Sequence, residues 1–182
     1  MNMPDITIVD QITLKIKSLQ GGLKDYPIRD LVKHAEDFGP YLKQQRLETN
    51  QVRKFLDAVN QIKASLTQDD DENIKKIQEQ AEAEKQKLQL NIKDNKEIDD
   101  KIRKIQTDAD KRKDKLRFSK IETDIVLLKP KLAYAAARQR AAKPLSDVIS
   151  DAIDKVYSKE DFERLVQLIE SIIAYHKAEG GK

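Results

Sequence analysis

The chain has 182 residues, of which 38 % are apolar, 37 % charged and 5 % aromatic, with five Gly, five Pro and neither Cys nor Trp. A charged fraction well above the usual ~25 %, with so little glycine, predicts an all-α protein and argues against a strand-and-turn architecture or a glycine-lined nucleotide site. The missing cysteines exclude disulfide frameworks, thiol catalysis and zinc fingers. No apolar run approaches membrane-spanning length, and the opening MNMPDITIVD has no positive charge ahead of its apolar residues, so neither a membrane span nor a secretory signal is read. The expectation is a soluble, cytoplasmic protein.

Glycine and proline punctuate the chain, and none occurs between Tyr41 and Lys129. Ile8, Ile12, Ile16 and Leu19 have helical spacing, although Ile12, Leu14 and Ile16 also alternate as in a strand; a short helix ending at Gly21-Gly22 is expected. Pro27 suits the first turn of a helix through Leu31 and Ala35, interrupted or bent at Gly39-Pro40. The next helix begins near Thr49 and carries one stripe of Val52, Phe55, Leu56, Val59, Ile62 and Leu66.

Asp69 to Asp71 mark a break or a solvated turn. From Ile74 the apolar positions then follow a heptad seam through Ile77, Ala81, Leu88, Ile98, Ile102, Ile105, Ala109 and Leu116. Glu84, Asn91 and Asn95 fall on that seam, and NIKDN at 91–95 is its weakest helical stretch, so an antiparallel coiled-coil hairpin with its tip there is expected. Residues 69–118 hold 14 acidic and 14 basic side chains and sum to zero. After them come a helix through Ile121, Ile125 and Leu128, a kink or restart at Pro130, an alanine-rich segment to Ala142, and a helix restarting at Pro144. The last helix is opened by the cap-like Ser158-Lys159-Glu160-Asp161 and stopped at Gly180-Gly181. The division is an N-terminal extension at 1–25, a helical bundle body at 26–68 and 119–182, and an inserted, projecting charged hairpin at 69–118.

Catalytic signals are thin. His34 and His176 stand alone on different helices, Gly21-Gly22 lacks the Lys of a P-loop, and the carboxylates are spread among lysines as on a solvated surface. No enzyme, metal or cofactor is expected. The sharper feature is KPKLAYAAARQRAAK at 129–143, with Lys129, Lys131, Arg138, Arg140 and Lys143 and no acid. Such a face fits a phosphate backbone, while its alanines let another backbone approach; an ordinary solvated face beside a tight helix contact explains it equally well. Arg46, Arg53 and Lys54 form the natural second strip if the two helices lie side by side.

Three blocks, LETNQVRKFLDAV at 47–59, LLKPKLAYAAARQR at 127–140 and FERLVQLIESIIAYHKAEGGK at 162–182, resemble the small helical subunit of type III-A CRISPR-Cas (Csm) interference complexes. The resemblance covers roughly two thirds of the chain. It implies a non-catalytic RNA-binding bundle, present in several copies along a guide RNA and its bound target RNA, next to a backbone subunit to which cleavage is attributed. It also implies no membrane and no small-molecule substrate. Carried onto matching positions, it makes Gln51, Arg53, Lys54, Lys129, Lys131, Tyr134, Arg138 and Arg140 the RNA-facing set, with His176 and Lys177 second-line because IAYHK also suits a helix contact. Residues 1–25 and 69–118 depart from the family pattern. The competing reading is a structural coiled-coil adaptor indifferent to RNA.

Overall fold

A computed structural model describes residues 6–67, 72–91 and 95–180, with the side chains of residues 49, 51, 91 and 95 outside that description. Among these residues the protein is all-α: α1 Ile8–Ser18, α2 Ile28–Gln44, α3 Thr49–Leu66, α4 Glu72–Asn91, α5 Asn95–Val126, α6 Leu128–Arg138, α7 Lys143–Ile153 and α8 Lys159–Ala178, with 3-10 turns at Leu23–Asp25 and Arg140–Ala142. The three aspartates at 69–71 and the tip expected at 91–95 fall wholly or largely outside the described residues. The chain forms two compact units, residues 1–63 with 122–182, and residues 64–121.

In the first unit α2 packs along α8, α1 lies against α7 and α2, and α6 pairs with α7. Helix α1 starts in a reciprocal cap, Thr7 accepting from the Asp10 amide while the Asp10 carboxylate accepts from the Thr7 amide. It ends at Ser18, three residues ahead of Gly21-Gly22, so the glycines are not its stop. Gly22 has another task. Its φ is 113°, and a Cβ there would lie 2.5 Å from Asp161 Oδ1, so only glycine permits both the backbone angle and the approach.

Asp161 is fully buried. Its carboxylate accepts from the Lys24 amide at 2.7 Å, the Tyr157 amide at 3.1 Å and the Ser158 hydroxyl at 2.9 Å, while Ser158 Oγ accepts from the Asp161 amide. The Ser158-to-Asp161 cap is therefore present, but its acid reaches the residue before the cap and a turn 137 residues away. A buried carboxylate is tolerated only when its lone pairs are used in this way.

Of the interruption or bend expected at Gly39-Pro40, the interruption does not occur: helix α2 remains helical through both residues. The reason lies across the interface: a Cβ on Gly39 would fall 2.6 Å from the His176 amide nitrogen and 2.7 Å from the Tyr175 carbonyl carbon. Glycine is the contact point of the α2–α8 crossing, and Pro40, in the last turns of α2, costs the helix one internal hydrogen bond that packing offsets. The restart expected at Pro130 occurs two residues earlier. Leu127 separates α5 from α6, which leaves Pro130 in the first turn of α6, where a missing N–H costs nothing. Helix α8 stops at a left-handed Gly180, φ 76°, as expected.

In the second unit α4 and α5 run antiparallel. Lys85 Nζ donates to Gln106 Oε1, and Arg112 Nη2 to Gln80 Oε1 at 3.5 Å, pairs whose numbers converge as an antiparallel register requires. Ile74, Ala81, Ala109 and Phe118 are buried. Glu84, on the predicted seam, is exposed. Charges pair locally, Glu82 with Lys85, Glu97 with Lys101 and Asp110 with Lys113, which adds only a few tenths of a kcal/mol per pair.

Gly39→Ala should destabilise the protein although alanine is the better helix former: the propensity gain of ~0.5–1 kcal/mol is outweighed by an overpacking cost of ~1–3 kcal/mol against backbone atoms that cannot rotate away. Asp161→Ala, which strips a partner from two amides, should cost about 2–4 kcal/mol. Thermal melts of both variants check this; an unchanged midpoint for either contradicts the packing described.

Candidate nucleic-acid interface

The connection from α2 to α3 sets one side of the site. Arg46 adopts the left-handed conformation at φ 62°, its amide bonds the Lys43 carbonyl at 2.8 Å, and the Leu47 amide bonds the Leu42 carbonyl at 3.1 Å. This is a Schellman closure of α2 with arginine where glycine is usual. It turns Leu47 inward, and the Leu47 carbonyl accepts from His176 Nε2 at 3.0 Å. Leu47 is thus fixed from both sides as α3 begins.

Between α3 and α6 lies a groove of about 550 Å3. Leu47, Val52, Phe55 and Ala58 line it from the α3 side, and Leu132, Ala135, Ala142 and Leu145 from the other. Lys54, Lys131 and Arg138 also line it, all three exposed, and among the described residues no Asp or Glu does. Tyr134 stands at the groove with 65 % of its surface exposed. The Arg138 guanidinium lies 5.7 Å from the Tyr134 ring centroid, with Arg138 Nη1 donating to the Tyr134 hydroxyl at 3.4 Å. The two α6 residues therefore act together, a cation held over an aromatic face.

The predicted RNA-facing residues separate on this surface. Lys54, Lys131, Tyr134 and Arg138 are brought together. Arg53 and Arg140 are exposed but do not line the groove. Lys129 ion-pairs with Asp154 at 2.5 Å, so an acid 25 residues onward occupies a cation that its own segment left unpaired. His176 does not join the set: it is 1 % exposed and bonded to Leu47, a support beneath the groove's edge. Lys177 is exposed on the last turn of α8, and the Gln51 side chain lies outside the described residues. Ala133 and Ala137 are exposed and Ala135 lines the groove, so their shortness leaves an opening.

Sequence reasoning misses the apolar floor. Phe55 reads as part of the buried stripe of α3, yet it is half-buried and lines the groove. The available signal is the pairing of that stripe with a run of alanines too small to cover it.

Both histidines have their imidazole pKa lowered. Burial pushes His176 below the usual imidazole range, opposed by the Leu47 bond and aided by Lys43. Burial likewise lowers His34, against the opposing charge of Asp30, and the Tyr26 hydroxyl meets His34 Nδ1 at 2.5 Å. Burial raises the Tyr26 phenol, with Asp30 adding to it, so Tyr26 donates. Among the described residues no group of three His, Asp or Glu side chains could hold a metal, and no helix is long and apolar enough to cross a membrane.

These features define a helical protein whose chemically distinct surface is a basic-rimmed, acid-free groove. The family model Csm2 Type III-A matches residues 25–100 and 71–182. The chain belongs to that family and is a small subunit of type III-A CRISPR Csm complexes. No curated protein matches the chain. Nor does any solved structure.

Because the folded pKa of His176 lies below its unfolded value of ~6.5, the stability carried by the neutral ring is present above that pH and lost as pH falls through the folded pKa. Melting temperature should therefore fall between pH 7.5 and 5.5. His176→Gln keeps a donor near the Leu47 carbonyl but cannot titrate, so the fall should be shallower; an equal slope in parent and variant contradicts this role.

Proposed function

We propose that this Csm subunit is a non-catalytic RNA-binding protein of antiviral defence that grips the backbone of the guide RNA–target RNA duplex inside a cytoplasmic ribonucleoprotein, beside the backbone subunit and neighbouring copies of itself. The observation that carries this reading is the acid-free groove. Lys54 from α3 and Lys131 and Arg138 from α6 converge on one surface, although Lys54 lies 77 residues before Lys131 in sequence. Convergent cations without acids attract phosphate regardless of base sequence. Sequence reading is left to base pairing, and the protein supplies charge and shape.

The same reading assigns no acid or base to the chain. The two histidines serve neighbours within the fold, the Tyr26 hydroxyl and the Leu47 carbonyl, and membership in a family of structural small subunits supports a positioning role. Helices α4 and α5, built largely from the charge-balanced stretch 69–118, form an inserted hairpin within this body plan, and we assign them no RNA contact.

Lys54→Gln, Lys131→Gln and Arg138→Gln combined should flatten the slope of log affinity against log salt by about two units, since each phosphate neutralised contributes ~0.7–0.9, and weaken unrelated RNA sequences alike. Fold should survive, since exposed cations contribute little to stability. An unchanged slope in a natively folded variant contradicts the proposal and favours an adaptor without RNA contact. In single-turnover assays with labelled RNA, with and without magnesium or manganese, the purified chain should show no cleavage; activity that co-elutes with it and disappears on replacing one acid would overturn the non-catalytic assignment.

A further inference from the structure

Neutralising phosphates needs cations on a surface and no cavity behind them, yet the groove between α3 and α6 has an apolar floor of Val52, Phe55, Leu132 and Leu145 and a volume of about 550 Å3, within the ~300–1,000 Å3 range of small-molecule sites. Two further observations say what kind of group such a floor receives. Tyr134 presents a largely exposed ring backed by the Arg138 guanidinium, an arrangement on which planar π-systems stack. Gln139, also in the wall, has a buried Oε1 without a hydrogen-bond partner; an acceptor withdrawn from water and left unpaired is costly until a donor arrives.

We infer that the groove is a nucleobase subsite: one unpaired RNA base lies over the apolar floor against Tyr134, the Gln139 amide turns toward the groove so that its Oε1 accepts from an N–H of the base, and the flanking phosphates rest on Lys54, Lys131 and Arg138. The inference rests on the RNA-binding reading and adds a preference for a nucleotide that is outside pairing. An apolar side chain from a protein partner would fill the floor but leave Gln139 Oε1 without a donor and bring no negative charge to the three cations. A base with its phosphates answers all three features. Any base can stack, so the subsite needs no sequence preference. A base held within a continuous duplex cannot enter, because it must first be unstacked and unpaired.

The test uses the full chain and two guide–target RNA duplexes that differ at one position, an unpaired nucleotide in one and an abasic nucleotide in the other, with affinity measured by fluorescence anisotropy across a salt series. The base-bearing duplex should bind roughly tenfold tighter, with the same salt slope as the abasic one. Tyr134→Ala should remove that advantage and leave the slope unchanged, while Tyr134→Phe should retain it; Tyr134 is exposed, so both variants should fold, and circular dichroism verifies this. Equal affinity for the two duplexes overturns the inference, as does an advantage that persists in folded Tyr134→Ala. If salt-dependent binding remains in that case, the backbone grip stands and the groove is the seat of a protein side chain. Absence of salt-dependent binding to either duplex overturns the RNA-binding reading itself.

Discussion

The fully buried carboxylate of Asp161 organises the body of this protein. Its acceptors are taken by the Lys24 amide, the Tyr157 amide and the Ser158 hydroxyl, so the start of α8 is locked to the turn between α1 and α2. From there α8 runs along α2 to His176, fifteen residues onward and about 22 Å away at ~1.5 Å per residue. His176 holds the Leu47 carbonyl, and Leu47 is where the groove begins. A charge buried at one end of a helix thus determines where a surface opens at the other. Gly22 and Gly39 are the two points at which that arrangement excludes a side chain altogether.

The distribution of charge follows a division of labour. Helices α4 and α5 carry 12 acidic and 14 basic side chains and pair charges locally, as in Glu97–Lys101 and Asp110–Lys113. Around the groove, by contrast, Lys54, Lys131 and Arg138 have no lining acid to neutralise them. A small subunit of a Csm complex needs no recognition of base sequence if the guide supplies it. On the RNA-binding reading proposed above, it needs a surface complementary to what every nucleotide shares, a phosphate and a planar ring.

Local chemistry is legible in the sequence where its partners are local. The helical class follows from composition and spacing, the Ser158 cap from a four-residue pattern, and the end of α8 from Gly180. Features that depend on distant partners are not legible in this way. Gly39-Pro40 reads as a break because its reason, the α8 backbone, lies some 136 residues away. Lys129 reads as part of a free basic face until folding brings Asp154 beside it, and His176 reads as either an RNA contact or a helix contact because nothing local shows the carbonyl it serves. The site is half legible: an acid-free segment and a candidate second strip are linear patterns, whereas the choice of Lys54 over Arg53 depends on how α3 is rotated about its axis, and the apolar floor depends on alanines failing to cover Phe55.

The central claim is that RNA lies on the α3–α6 face. Photocrosslinking with RNA carrying 4-thiouridine, followed by mass spectrometry of the digested protein, locates the contact directly. Crosslinks should concentrate in peptides spanning residues 51–58 and 131–140. Crosslinks confined to residues 72–121, or none above the level given by the unmodified RNA, would contradict the account.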